Sequence, residues 1–439
     1  MTPAARLQCA VEALGEVEKS ISEQGAAADV LLKAFFRNRR YAGSGDRRAV
    51  LNRVYDVLRM RGYCLWACGE LEREPNARNL MLVYLSRHDT DAFDLFTAGL
   101  YGPPTLGEEE WAFIKAVQQL DFEKAPLWAH WNCSDVISES LESRFNGEAK
   151  PVRDALNERA SIDIRVNTLT SNAVELRQQF ADEDVIFEPC TYSPWGLRLD
   201  GQRYLENHPL FRSGSFELQD EGSQLVSLMS GVKPGQTVVD LCAGAGGKTL
   251  ALAAMMNNEG KLIASDVSER RLKNLDHRLK RTAISCVYPR VIRNEMKSDE
   301  AFQDVLGQAD IVFVDAPCSG TGTWRRHPEA RWRYDEADIN EFSRLQDQLI
   351  DQAVDLVKPG GRIIYVTCSL LQEEDEGRVE AALQRHKSLE LLDYHSVLEE
   401  VGLTEIKETH SYLDQCLLLS PYRHGTDGFF YAVFKHLGA

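Results

Sequence analysis

From about Gly231 to its end the chain alternates short apolar runs with helical periodicity, and this alternation limits the fold more than any other feature. Thr237-Val238-Val239-Asp240-Leu241, Leu262-Ile263-Ala264-Ser265, Ile311-Val312-Phe313-Val314 and Ile363-Ile364-Tyr365-Val366 each have the length and apolar content of a buried strand. Between the last two, Phe342, Leu345, Leu349, Ala353 and Leu356 recur at helical spacing. Strands that are apolar throughout need cover on both faces, and alternating βα units give that cover around a parallel sheet. The expectation is an α/β fold with a doubly wound, Rossmann-like sheet. Ligands of such sheets bind beyond the C-terminal strand ends, so the residues just after each run carry the chemistry.

The remaining sequence adds further parts, since 439 residues exceed one ordinary core. The first third reads helical: Leu7, Val11, Leu14, Val17 and Ile21 form one apolar stripe, and Leu51, Val54 and Leu58 another. Between them Ala42-Gly43-Ser44-Gly45-Asp46 reads as a turn, with Asp46 placed to cap the next helix. Lys33, Arg37, Arg39, Arg40, Arg47, Arg48, Arg53, Arg59 and Arg61 crowd this stretch against only Asp46 and Asp56. A solvated helical face is the ordinary reading, and contact with phosphates the functional one. From about Glu139 the pattern turns mixed. Ile162 to Asn167 alternates as a half-buried strand does, a helical stretch runs through Leu176, and Val185-Ile186-Phe187 reads as a short strand.

The net charge of −17 argues against broad, non-specific nucleic-acid binding and leaves room for a local basic face. No run of about 18 apolar residues suggests a membrane span, and Met1-Thr2-Pro3-Ala4-Ala5-Arg6 lacks the apolar block of a signal peptide. A cytoplasmic protein, acting as a monomer and away from the membrane, is expected. Cys64 and Cys68 lie one helical turn apart, but no second pair or nearby His completes a zinc site, so no metal is expected.

Asp240-Leu241-Cys242-Ala243-Gly244-Ala245-Gly246-Gly247-Lys248-Thr249 joins the first strand of this region to a helix. Its glycines let backbone pass close to a ligand, and the helix start offers free N–H groups. Asp266 follows the next strand, about 20 residues on, where an acidic side chain suits paired ribose hydroxyls or caps the following helix. A nucleoside cofactor follows from these features, without a choice between S-adenosylmethionine and NAD.

The third and fourth strands run into Asp315-Ala316-Pro317-Cys318-Ser319-Gly320 and Thr367-Cys368-Ser369. Two cysteines just past parallel strand ends face the expected cleft and point to thiol chemistry. Cytosine C5 is a weak nucleophile. A thiolate that adds at C6 converts the ring to an enamine whose C5 can take a methyl group from a sulfonium. The adduct must then lose the C5 proton and expel the sulfur, a step that a second thiol can assist. Asp315 is placed to bind the N3/N4 edge of the base. Position alone does not say which cysteine attacks.

In these stretches the chain resembles the Nol–Nop–Sun RNA (cytosine-5) methyltransferases, of the Sun/Fmu type that modifies bacterial small-subunit ribosomal RNA. The resemblance rests on Phe216-Glu217-Leu218-Gln219-Asp220-Glu221-Gly222-Ser223-Gln224-Leu225, the loop Asp240 to Thr249, and Asp315 to Gly322 continuing into Arg325-Arg326-His327-Pro328-Glu329-Ala330-Arg331-Trp332. Thr367-Cys368-Ser369, Glu373-Glu374 and Asp427-Gly428-Phe429-Phe430 complete it, in order over roughly the last half of the chain. It implies a class I methyltransferase domain using S-adenosylmethionine, with RNA, ribosomal in particular, as partner. It implies that Cys368 is the nucleophile and that Cys318 aids release. It also implies that Cys242, Ala243, Gly244, Ala245, Gly246, Gly247, Lys248, Asp266 and Asp315 contact the cofactor or the reacting base. The helical first third is similar, more loosely, to a NusB-like RNA-binding domain, through Ser44 to Arg48 and Val54 to Arg59, and the middle to a small RRM-like domain. The expected division is 1–138, 139–215 and 216–439.

Two positions depart from the family pattern. Gly244-Ala245 stands where Ala-Pro is expected, which predicts a more flexible loop. Asn294-Glu295 stands for Gly-Asp, so Glu295 takes the place of the aspartate beside the adenine. Finally, Trp324, Trp332 and Tyr334 interleave with Arg325, Arg326, Arg331 and Arg333, a mixture that suits unstacked RNA. Two rival readings stay open: a DNA-type cytosine-5 enzyme that would attack with Cys318, and a non-catalytic RNA-binding assembly factor.

Overall fold

The computed structural model describes residues 1–201, 203–293, 301–406 and 408–438. Asn294 and Glu295 lie outside the described residues. The chain forms two units. One is Met1–Glu158 with Trp324–Ala337, the other Arg159–Thr323 with Asp338–Ala439.

The first unit is helical. Helix α1 (Pro3–Ser22) begins at Thr2, whose side chain accepts from Ala5 N at 3.2 Å, with Pro3 preset for the first turn. Its stripe Leu7, Leu14, Val17 and Ile21 is buried in the unit's core, and Val11 packs against the edge of that core. Helix α2 (Ala28–Arg37) and helix α3 (Ser44–Arg59) follow. Helix α3 starts at Ser44, so Asp46 sits within its first turn and is not the cap residue. Its carboxylate accepts from Gly43 N at 3.2 Å and pairs with the Met1 amino group at 3.0 Å and Arg6 Nε at 2.7 Å. Hydrogen bonds from these two cations hold the Asp46 carboxyl below its usual range.

The segment Trp324–Ala337 is part of this core, which corrects its reading as an RNA-stacking surface. Arg331 is buried and donates to Trp131 O at 3.0 Å and Leu156 O at 2.6 Å. Glu329 accepts from Ala28 N at 3.1 Å, at the start of α2. Arg333 donates to Gly25 O and Ala26 O at 2.7 and 2.8 Å. Trp324 is buried, and Trp332 meets Trp128 edge-on with ring centres 6.1 Å apart. Arg331 and Arg333 thus satisfy main-chain carbonyls and Trp324 fills the core, so these side chains are engaged within the protein and not free to stack on bases.

Much of the basic stretch is also spoken for. Arg39, Arg53 and Arg61 pair with Glu12, Asp89 and Glu18 at 3.1, 2.8 and 2.8 Å. Arg47 donates to Ala42 O at 2.9 Å and Arg59 to Arg325 O at 3.2 Å. Among the described residues, Arg37, Arg40 and Arg48 are exposed with side chains that make no hydrogen bond or ion pair.

The second unit holds two sheets. The smaller contains β1 (Asp163–Val166), β2 (Phe187–Pro189), β3 (Gly196–Leu199) and β4 (Phe216–Leu218) in the order β2-β3-β1-β4, every pair antiparallel. Strand β2 begins two residues later than the expected run from Val185. Strand β1 is not half-buried as its alternation suggests. Asp163 and Arg165 are buried too, because Asp163 binds Arg198 at 2.8 Å and Arg165 donates to Gln219 Oε1 at 2.6 Å. The polar face meets protein, and each charge finds a partner there.

The larger sheet contains β5 (Thr237–Asp240), β6 (Lys261–Asp266), β7 (Val287–Val291), β8 (Ala309–Asp315), β9 (Val357–Thr367), β10 (Leu389–Leu392), β11 (Leu417–Leu419) and β12 (Phe429–His436). Its order is β10-β12-β9-β8-β5-β6-β7, with β11 on β12. Strands β5 to β9 pair in parallel, but β12 runs antiparallel to both β9 and β10. The sheet is therefore mixed, not parallel throughout. The run Phe429 to Phe434 is buried along its length, as a parallel core strand is, so its composition does not give its direction. Among the described residues no helix is long and apolar enough to cross a membrane.

The segment Gln219 to Leu225 joins the sheets. Asp220 caps the helix Glu221–Leu228 through Gly222 N at 2.8 Å and also accepts from Asp427 N at 3.1 Å. Gln224 donates to Gln219 O at 2.8 Å and Ile164 O at 3.3 Å. This motif holds the frame around the strand ends.

Candidate active site

Strands β8 and β9 are parallel neighbours, with Asp315 in register with Val366. The chain leaves both at the same end, which brings Cys318 and Cys368 side by side with sulfurs 3.4 Å apart. Both are half-buried. Two ties carry the pairing past the sheet: Ala316 N donates to Val366 O and Gly322 N to Cys368 O, each at 2.9 Å. The hydrogen bond with Cys368 and burial raise the Cys318 thiol well above its ordinary range.

A second crossing fixes the loop. Gly428 N donates to Gly322 O at 2.9 Å, and the two backbones lie so close that a Cβ on Gly322 would stand 2.3 Å from Gly428 O. The terminal Asp427-Gly428 motif is therefore a backbone contact with the Cys318 turn.

Lys248, expected in the cofactor loop, reaches Asp315: Nζ donates to Oδ2 at 2.7 Å and lies 5.0 Å from the Phe429 ring centre. Burial pulls its ammonium down, but Asp315 first and then Cys368 and Asp240 outweigh that and raise it. A cation from the loop thus pairs with the carboxylate that ends β8.

In the loop, Gly244 and Gly246 have φ of +56° and +87°. The φ of Gly246 is one that side chains rarely adopt, and a Cβ there would also stand 2.3 Å from Leu275 Cδ1, so the turn favours glycine. Asp266 accepts from Gly244 N at 2.9 Å and Ser268 N at 2.7 Å, tying the loop to the start of the helix Glu269–Thr282. Arg278 of that helix donates to Ala245 O and to Glu217, both at 2.8 Å. The loop that lacks proline is held by this side chain instead. Asp240 accepts from Thr249 Oγ1 at 2.7 Å, its other oxygen is buried without a partner, and burial lifts the carboxyl to about 7. Cys242 is half-buried, and burial raises its thiol as well.

The fold sets Cys318 beside Cys368 and joins Asp315 to Lys248 of the loop. Sequence reasoning assigned no role to Glu374. That carboxylate accepts from Ser319 N at 2.9 Å and Ser369 Oγ at 2.5 Å, the residues next to each cysteine. The only sequence signal is the acidic pair Glu373-Glu374 shortly after Thr-Cys-Ser.

The sheet order, the glycine turn after β5 and the acidic end of β6 define a class I methyltransferase domain, and the antiparallel sheet beside it has ferredoxin-like topology. A family model described as 16S rRNA methyltransferase RsmB/F matches residues 228–435, and one for an RsmF/B-like ferredoxin-like domain matches residues 137–206. A probable ribosomal RNA small subunit methyltransferase B of Synechocystis sp. is 31% identical over 319 residues, covering 72% of this chain and 69% of that protein. The 25S rRNA (cytosine-C(5))-methyltransferase nop2 of Schizosaccharomyces pombe is 32% identical over 71% of this chain and 52% of its own length. The crystal structure of PH0851 matches with a TM-score of 0.78 and 28% identity over 99% of each chain. The chain belongs to the Nol–Nop–Sun family of RNA (cytosine-5) methyltransferases.

The cofactor of such a domain is S-adenosylmethionine, and the residues present fit it. The left-handed turn at Gly244 and Gly246, the open space at Gly247 and the unpartnered oxygen of buried Asp240 form a polar cradle at the strand end.

Proposed function

We propose that this protein transfers a methyl group to C5 of a cytosine in ribosomal RNA, of the small subunit in particular, through a covalent bond from Cys368 to C6. The names of the relatives support the RNA class. The observation that carries the mechanism is the pair of sulfurs 3.4 Å apart with the Lys248–Asp315 ion pair among their neighbours.

In this reading Cys368 is the nucleophile and attacks as thiolate, the reactive form of a cysteine. Asp315 holds the N3/N4 edge of the flipped base, and Lys248 fixes the orientation of Asp315. Bound S-adenosylmethionine supplies the methyl sulfonium that C5 attacks. Once the methyl is in place, Cys318 assists loss of the C5 proton and breaking of the C6–S bond, which frees Cys368. Gly244 to Gly247, Asp266 and, outside the described residues, Glu295 are assigned to the cofactor, Asp266 to the ribose. The division 1–138, 139–215 and 216–439 is part of the proposal, with the first two parts binding RNA. So are a monomeric state and a cytoplasmic location.

The test is trapping. Cys368→Ala should lose methyl transfer and form no adduct. Cys318→Ala should accumulate a denaturant-resistant protein–RNA complex whose base already carries the methyl, absent from the double variant. Accumulation by Cys368→Ala instead would exchange the two roles. No complex with either variant would overturn the covalent scheme.

A further inference from the structure

We propose that Glu374 is a positioning residue that sets the separation of the two sulfurs. The proposal rests on the reading of Cys318 and Cys368 given above. Glu374 is fully buried, and its carboxylate takes four donors. Oε1 accepts from Ser319 N at 2.9 Å and Gln346 Nε2 at 3.2 Å. Oε2 accepts from Ser369 Oγ at 2.5 Å and from Ser319 Oγ. Ser319 follows Cys318 and Ser369 follows Cys368, so one side chain grips both cysteine-bearing turns. Gln346 adds to the grip, since the same Nε2 donates to Pro317 O at 2.9 Å.

The placement is hard to explain by stability alone. A buried carboxylate is costly to desolvate, and apolar residues of like volume commonly serve a core as well or better. What a carboxylate alone provides is acceptor capacity for four donors from three chain segments with no donor of its own. The ladder between β8 and β9 ends at Asp315 and Val366. Beyond it the two backbone ties from Ala316 and Gly322 continue the pairing, and Glu374 adds side-chain bonds to both turns while it is itself anchored: Tyr365 donates to its carbonyl oxygen at 2.6 Å, and its neighbour Asp375 accepts from Thr367 Oγ1 at 2.6 Å.

The experiment measures sulfur spacing apart from catalysis. Phenylarsine oxide bonds to both sulfurs of a close dithiol, forming two As–S bonds and releasing its oxygen as water with the two thiol protons. The full-length parent should bind it, and Cys318→Ala, with one thiol, gives the reference for lost pairing. Glu374→Gln keeps the shape but turns one acceptor into a donor. It should bind the arsenical at least about tenfold more weakly and lower kcat about 100-fold, the scale of a small misplacement of reacting groups. KM for RNA should stay within about twofold, since Glu374 touches no substrate. Ser319→Ala and Ser369→Ala should each weaken arsenical binding less, and neither should add to the loss in the Glu374→Gln background. Parental arsenical binding by Glu374→Gln would overturn the proposal. If Glu374→Gln does not fold, parental binding by both serine variants would overturn it. Weakened binding together with no adduct in the cysteine variants would refute the covalent reading and leave the positioning role standing.

Discussion

Gly322→Ala is the most direct probe of how the strand-end loops are held. Its Cβ would stand 2.3 Å from Gly428 O and 2.7 Å from Gly428 C and Cα. All three are backbone atoms, so no rotamer change can relieve the overlap. Ordinary contact begins at 3.4 Å, so the two backbones must part by about 1 Å. Overpacking of this kind costs about 1–3 kcal/mol. Parting also strains the Gly428 N to Gly322 O bond of 2.9 Å, which contributes about 1 kcal/mol more. The total of about 2–4 kcal/mol lowers the melting temperature of this unit by roughly 5–15 °C. Gly322 N also donates to Cys368 O, so the displacement should reach the proposed nucleophile and reduce adduct formation by the surviving folded protein. Scanning calorimetry and denaturing electrophoresis of the trapped complex read the two effects. Gly45→Ala is the control: nothing lies within 4 Å of its added Cβ, so it should be neutral or slightly stabilising. A Gly322→Ala protein that melts with the parent and forms adduct at the parental rate would refute the argument.

Three further outcomes are expected. Arg278→Met should release Ala245 and weaken S-adenosylmethionine binding about tenfold, the scale of a lost charged hydrogen bond; unchanged affinity by calorimetry would mean the loop holds itself. The Asp240 carboxyl, lifted by burial to about 7, binds a proton in the native state that the unfolded chain has released, so its cost to stability grows as pH rises from about 4 to about 7. Asp240→Asn removes this cost, and its melting temperature relative to the parent should rise between pH 5 and pH 8; a constant offset would refute the cause. Reversing Arg37, Arg40 and Arg48 to Glu should weaken RNA binding and flatten its salt dependence. An unchanged slope would make them an ordinary solvated face.

What the sequence could reveal follows from what burial demands. The four apolar runs are legible because parallel strands covered on both faces admit little else. Strand β7 is not, because Val287-Tyr288-Pro289-Arg290-Val291 lies at the sheet edge with Tyr288 exposed, and no apolar run is required there. The cysteines are legible because each ends a recognisable strand. Glu374 is not, because its partner Ser319 lies 55 positions away and only the fold brings the two turns together. The tryptophan–arginine stretch misleads for a related reason. Planar cations and rings serve RNA and a helical core alike, and only Arg331 on two main-chain carbonyls reveals which use is made of them.

Strand β12 lies between β9 and β10, and it is made long after β9. Until it emerges from the ribosome, β9 has an open edge on that side, and such an edge invites pairing with other chains. The strand that leads into Cys368 thus passes through a vulnerable interval in every round of synthesis, and Asp427-Gly428 closes on the Cys318 turn only when that interval ends. A chain arrested before Asp427 would carry both thiols without the contact that steadies them. Chaperone dependence and loss of methyl transfer should therefore appear together in such fragments.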